Sequence, residues 1–340
     1  MTKHRLSALL IATSLTAALV AGCSSSSSKS SGSGTTQSTA SSGASTTAAG
    51  AQAAVFPRSV KHAMGTAEIK ARPKRVVVLD SGELDDVTLL GITPVGAVSP
   101  HLKSEGGFPA YLKDKIGGTV DVGPMTEPNL ELITSLKPDL ILTSKVRHEK
   151  IYAQLDAIAP TVMAETTGFP WKANLELYAQ ALGKETEAKA AMTQYEARAA
   201  KLGEAIKAKN GGTMPTVSVV RFVAGPTRLY QKSSFSGVVL KDVGLPRPAA
   251  EDVDALMLEV SAEQIGKADA DLVFVTTSDD PSKTKETEVQ GTAVWKDLPA
   301  VKAGHVVNVP DETWMSGIGV QAADQMLVDI AKATGVDAPK

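Results

Sequence analysis

The sequence predicts an α/β fold of two Rossmann-like lobes, each a parallel sheet flanked by helices, bridged by one long α-helix. Three observations predict it. Short β-branched runs alternate with helix-like segments on both sides of the middle of the chain. The middle itself, 185–209, is rich in Ala, Glu and Lys and is interrupted only by Gly203. The segment 131–142 (ELITSLKPDLIL) is echoed by 263–274 (EQIGKADADLVF), where Glu131, Ile133, Asp139 and Leu140 are matched by Glu263, Ile265, Asp271 and Leu272. Short apolar strands between helices indicate parallel sheets covered on both faces.

The chain opens with Lys3-His4-Arg5 and a short apolar run, Leu6 to Val20. A spanning helix needs roughly 20 apolar residues, so residues 1–22 read as a cleavable secretory signal. Val20-Ala21-Gly22-Cys23 sets the single cysteine behind small residues and resembles a bacterial lipobox. That resemblance implies lipidation of Cys23, which becomes the new N-terminus on the extracytoplasmic face of the cell membrane. One cysteine also excludes an intrachain disulfide. Residues 23–55 are almost entirely Ser, Thr, Gly and Ala. They cannot bury enough apolar surface to offset chain entropy and read as a flexible tether, one that suits a Gram-positive surface. At about 5–6 Å × √n it reaches roughly 30 Å.

The N-terminal lobe is expected over 56–170. Its strands are Arg75–Asp80, Pro94–Val98, Asp139–Thr143 and Thr161–Met163; its helices are Glu83–Leu90, Leu130–Leu136 and Ile151–Ile158. The backbone-helix region follows over 171–212, with helices Asn174–Leu182 and Glu185–Lys209. Asn210-Gly211-Gly212 is a sound helix stop. The C-terminal lobe, 213–340, carries strands Val217–Phe222, Asp271–Thr276 and Val306–Val309. Its helices are Phe235–Val243, Val294–Leu298 and Gln321–Thr334.

With 35 basic and 37 acidic residues the net charge is −2, which gives no support to nucleic-acid binding. The five histidines show no metal-ligand spacing, and the chain has no Gly-rich phosphate loop and no GxSxG.

Several motifs in order resemble one family. They are Pro73-Lys74-Arg75-Val76-Val77; Glu127-Pro128-Asn129-Leu130-Glu131 with Leu136-Lys137-Pro138-Asp139-Leu140-Ile141; Ala159-Pro160-Thr161-Val162; and 295–304 (WKDLPAVKAG). Trp314-Met315-Ser316-Gly317-Ile318-Gly319 resembles the iron-hydroxamate branch in particular. The family is that of ABC-importer substrate-binding proteins whose lobes are joined by a single backbone helix, serving siderophore, haem and cobalamin uptake. The resemblance covers about 57–336. It implies a monomeric, lipid-anchored protein, not an enzyme, that carries an iron(III)-siderophore complex of hydroxamate type to a permease dimer. Its cargo is that complex, and no cofactor or protein-bound metal is implied. It further implies that one glutamate on each lobe, Glu131 and Glu263, docks onto the permease; Glu127 and Glu259 lie close enough to compete.

A ferric siderophore fills the metal's coordination sphere with its own oxygens, so the protein needs an apolar wall and donors aimed at oxygen. The residues that fit are Arg147 after the third N-lobe strand, Trp171 before the backbone helix, Arg221 near the end of VSVVRF, Tyr230, and Trp314 after the last C-lobe strand. Arg228 is a weaker candidate, and Ser99–Phe108 is the expected cleft rim. Competing readings are haem, with Tyr230 as axial ligand, or cobalamin; an enzyme; or a surface sensor or adhesion module.

Overall fold

A computed structural model describes residues 55–99, 107–278 and 280–340. The predicted signal, Cys23 and all but the last residue of the tether lie outside them, as do residues 100–106 of the expected rim.

The described chain begins with a β-hairpin that the sequence pattern did not announce, β1 (Arg58–His62) and β2 (Gly65–Ile69). The N-lobe follows: β3 (Val76–Val78), α1 (Ser81–Leu89), β4 (Gly96–Ser99), β5 (Val120–Pro124), α2 (Leu130–Ser135), β6 (Leu140–Ser144), α3 (Lys145–His148), α4 (Tyr152–Ile158) and β7 (Thr161–Ala164). Its five strands are all parallel, in the order β5-β4-β3-β6-β7. β3 is buried along its whole length, which is why it is written in valine alone.

Two helices lead out of this lobe, α5 (Trp171–Leu182) and α6 (Glu185–Lys209). The 25 residues of α6 span about 37 Å at 1.5 Å each. The C-lobe then comprises β8 (Val217–Phe222), β9 (Thr227–Tyr230), α7 (Phe235–Val243), β10 (Met257–Val260), β11 (Leu272–Thr277), α8 (Glu286–Gly291), α9 (Ala293–Asp297), α10 (Pro299–Lys302), β12 (Val306–Asn308) and α11 (Val320–Thr334). Its sheet order is β10-β9-β8-β11-β12. Here β8, β11 and β12 are parallel, while β9 turns back against β8 and pairs antiparallel with both neighbours.

The internal echo has a physical basis. Asp139 accepts the backbone N–H groups of Lys74 and Arg75, just ahead of β3. Asp271 accepts the backbone N–H and the hydroxyl of Thr216, just ahead of β8. In each lobe one carboxylate fixes the start of the central strand against its neighbour. Ile133 and Ile265, the matched apolar pair, are both fully buried.

Trp171 is fully buried where α5, α6 and α7 converge, edge-on to Tyr195 at 5.3 Å and to Phe235 at 5.7 Å. It therefore packs the junction between the lobes and offers no face to a ligand, contrary to the cleft role expected for it. The apolar core runs without a break from the N-lobe helices through α6 to the C-lobe.

Gly203 sits in the interior of α6, where alanine would normally be better by about 1 kcal/mol. A Cβ there would strike the carbonyl oxygen of Val243 at the end of α7. Close backbone approach outweighs helix propensity, so Gly203→Ala should destabilise the protein by about 1–3 kcal/mol. Urea denaturation measures this directly; a neutral or stabilising result would mean that α6 and α7 have room to separate.

Candidate functional site: the cleft at the carboxyl ends of the sheets

In open α/β sheets ligands bind beyond the carboxyl ends of the strands, where loops leave the sheet and helices present their N-termini. Here those ends approach one another from the two lobes. Gly82, one turn past β3, lies against Ile318, which follows β12. Ala110 N–H donates to the Glu312 carboxylate at 3.0 Å across the same seam.

On the N-lobe side the carboxyl ends of β6 and β7 frame a groove of about 680 Å³, lined by Thr126, Lys145, Arg147, Lys150, Glu165 and Thr166 among others. That volume falls within the range of small-molecule sites. Lys145 is tied to Glu165 at 2.9 Å. Arg147 donates through Nε to Asp80 at 2.9 Å, and its terminal nitrogens have no hydrogen-bond partner among the described residues.

On the C-lobe side Arg221 lies near the end of β8, half-buried, and Asp311 takes its Nε and Nη2, each at 2.7 Å. Its Nη1 donates to the Tyr230 hydroxyl at 2.9 Å, and the guanidinium rests over the Tyr230 ring. Arg221 and Tyr230 thus form one unit, as adjacent antiparallel strands allow. Arg228 pairs instead with Glu259 at 3.5 Å.

Trp314 departs from expectation. It lies in a π-helical turn, Glu312–Ser316, fully buried, with its ring 4.3 Å from that of Phe274 and its Nε1 donating to Asp329 at 2.9 Å. It is a core anchor and not a cleft wall. The glycines around it have a different use. A Cβ at Gly319 would strike the Asp85 carboxylate, and one at Gly317 would strike Ala322. The 314–319 segment packs lobe against lobe.

What the sequence reading passed over is the acid cluster at α1. Asp80, Glu83, Asp85 and Asp86 are all buried. Asp85 receives the backbone N–H groups of Gln321 and Ala322 at the start of α11, each at 3.0 Å, which joins the lobes. Burial pushes Asp85 up to about 6 even so. Burial, reinforced by the charge of Asp80, pushes Glu83 up to about 8, and the Tyr178 hydroxyl donates to it at 2.6 Å. The available signal was four acids in seven residues directly behind an all-valine strand, too dense for an ordinary first turn.

Glu131 and Glu263 occupy equivalent places. Each is exposed in the first turn of the short helix that precedes β6 or β11. Because a helix between parallel strands runs back against them, both first turns lie toward the carboxyl ends of the sheets. Glu263 is held below the usual carboxylate range by hydrogen bonds from Ser261 and from its own backbone.

Residues 76–313 match the model of a family described as periplasmic binding protein. The chain is 43% identical over 288 residues to the Probable siderophore-binding lipoprotein YfiY of Bacillus subtilis, covering 80% of this chain and 86% of that one. It is 34% identical over 277 residues to the Fe(3+)-citrate-binding protein YfmC of the same organism, covering 79% and 83%. Staphylococcus aureus SirA, solved in complex with staphyloferrin B, superposes with a TM-score of 0.76 at 37% identity, covering 83% of this chain and 99% of SirA.

The acidic cluster predicts the sign of a pH effect. A carboxyl whose folded pKa is raised binds its proton more tightly in the folded state. Its contribution to stability is full below the ordinary value of 4.5 and is lost as pH rises toward about 8 for Glu83. Stability should therefore decline from pH 5 to pH 8, and Glu83→Gln should flatten that decline. Denaturant unfolding at four pH values checks it; identical slopes in the two proteins would remove Glu83 as the cause.

Proposed function

This chain belongs to the periplasmic binding protein family, and on that premise we propose that it binds a ferric siderophore in its inter-lobe cleft and delivers it to an ABC importer for iron uptake. The family consists of binding proteins, so the chain is a binding protein and not an enzyme. The observation that carries the ligand reading is the groove at the ends of β6 and β7, with the free guanidinium end of Arg147 on its lining. A siderophore supplies all the oxygens its iron needs, and a planar guanidinium answers peripheral oxygens with paired N–H donors. Arg221 and Tyr230 supply the facing donors from the C-lobe.

Charge favours one ligand type. A hydroxamate was implied by residues 314–319, but those residues pack the lobes together with Trp314 buried. They shape the cleft and do not choose its ligand. Lys145, Arg147 and Lys150 outnumber Glu149 and Glu165 on one groove, which favours an anionic, carboxylate-bearing ferric chelate, and ferric citrate in the name of YfmC is such a ligand. A haem reading would use the Tyr230 hydroxyl, which here accepts from Arg221.

In this reading the protein is a monomer held by the Cys23 lipid on the extracytoplasmic face, free of nucleic acid. Glu131 and Glu263 present equivalent charges to a two-fold permease, as two related lobes should.

Titration calorimetry with ferric citrate, ferrichrome, ferric enterobactin, haem and cobalamin tests the ligand. Saturable binding of ferric citrate at micromolar concentration or below is expected; binding of ferrichrome alone would restore the hydroxamate, and binding of haem alone would overturn the siderophore reading. Glu131→Ala combined with Glu263→Ala should leave that affinity intact and lower iron uptake by cells several-fold. Normal uptake by the double variant would defeat the docking role.

A further inference from the structure

Each lobe brings one arginine to the cleft, and each arginine is gripped by a buried aspartate. In the N-lobe Asp80, 1% exposed, directly follows β3. Its Oδ1 accepts the Ser81 N–H and caps α1, while its Oδ2 accepts from Arg147 Nε. In the C-lobe Asp311, 5% exposed, follows β12 and grips Arg221 through two nitrogens. The Asp311 carboxylate is itself held by the hydroxyls of Thr276 and Ser316, both at 3.1 Å. The two pairs are built from different elements. Arg147 follows β6 and its aspartate follows β3; Arg221 belongs to β8 and its aspartate follows β12.

In both pairs the aspartate takes the Nε side of the guanidinium. For Arg147 that leaves both terminal nitrogens uncommitted among the described residues. For Arg221 it leaves one N–H on Nη2, and one on Nη1 beyond the bond to Tyr230. A long arginine side chain in a water-filled cleft otherwise samples many rotamers, and a ligand would have to freeze them. A buried carboxylate cannot afford to lose its cation, so the grip persists before any ligand arrives.

We infer that Asp80 and Asp311 are positioning residues: they do not touch the ligand, and they hold Arg147 and Arg221 with their outer N–H groups set for the oxygens of an anionic ferric chelate. This rests on the siderophore reading of the cleft. The two aspartates act through their arginines alone, which makes the effects of each pair non-additive.

The experiment is a pair of double-mutant cycles on the full protein, read as the Kd for ferric citrate by calorimetry, with ferrichrome and ferric enterobactin in parallel. Asp80→Asn keeps an oxygen to cap α1 and removes the charge. It should weaken binding at least fivefold, Arg147→Ala at least tenfold, and the double variant no more than Arg147→Ala alone. The same pattern is expected for Asp311→Asn with Arg221→Ala. Each double variant removes both charges and strands neither, so it folds even where the single arginine variant does not. A purely structural role would lower the melting temperature of Asp80→Asn and multiply the two losses; that result, or wild-type affinity in both asparagine variants beside weak arginine variants, overturns the positioning role. Wild-type affinity in both arginine variants, or a wild-type protein that binds none of the three chelates, instead removes the site reading, and the positioning role falls with it.

Discussion

Two backbone N–H groups and one carboxylate set the relation between the lobes. The first N–H groups of a helix have no partner within it, and they carry the positive end of its dipole. At the start of α11 those of Gln321 and Ala322 are satisfied by Asp85 from the opposite lobe. The Gln321 side chain returns the contact, donating to the carbonyl of Asp85 and the hydroxyl of Thr88. Such a bond needs close approach, and glycine at 317 and 319 permits it. The seam at Ile318, where Gly82 lies against its carbonyl, sits beside this contact. Ile318, a β-branched residue, accepts φ of 49° to stay in it.

The second tie is apolar. Trp171, Tyr195 and Phe235 draw α5, α6 and α7 into one edge-to-face cluster. Lys172 lies near both the Trp171 and Tyr195 rings and also pairs with Glu196 and Asp242. A continuous helix has no soft loop to absorb a large change in φ and ψ, so α6 resists wide opening. The polar tie at α11 and the aromatic one at α6 join the lobes at two separate places. A cleft braced in this way resists wide opening.

The architecture was legible because it rests on periodicity and composition. The bounds of α6, β8 and α7 agree with their sequence signals to the residue. What escaped the pattern were elements without a strong apolar signal. The β1–β2 hairpin carries few apolar residues on its buried face, Val60, Ala67 and Ile69 beside His62, and β10 is largely half-exposed. The site was legible by chemistry more than by position. Arg147 and Arg221 stood out because a charge at a strand end needs a partner, and each has an aspartate. Trp171 and Trp314 were misjudged because a rare aromatic near a strand end serves a core as readily as a cleft, and only packing distinguishes the two. The acids of α1 were missed because each alone looks like a favourable first-turn charge; that all are buried follows from what lies on both sides of the helix.

The last helix closes the molecule. α11 packs against α6, α7 and, across the lobes, α1. Its residues are the final ones of the described chain apart from a short tail. A polypeptide that emerges from its N-terminus can therefore build the N-lobe sheet early, since β3 to β7 are contiguous in sequence. It cannot tie α1 to the C-lobe, because the partners of Asp85 are made more than two hundred residues later. Until then Asp85 stands without the helix N-terminus that satisfies it. The polar tie between the lobes thus forms last, and the finished cleft waits for α11.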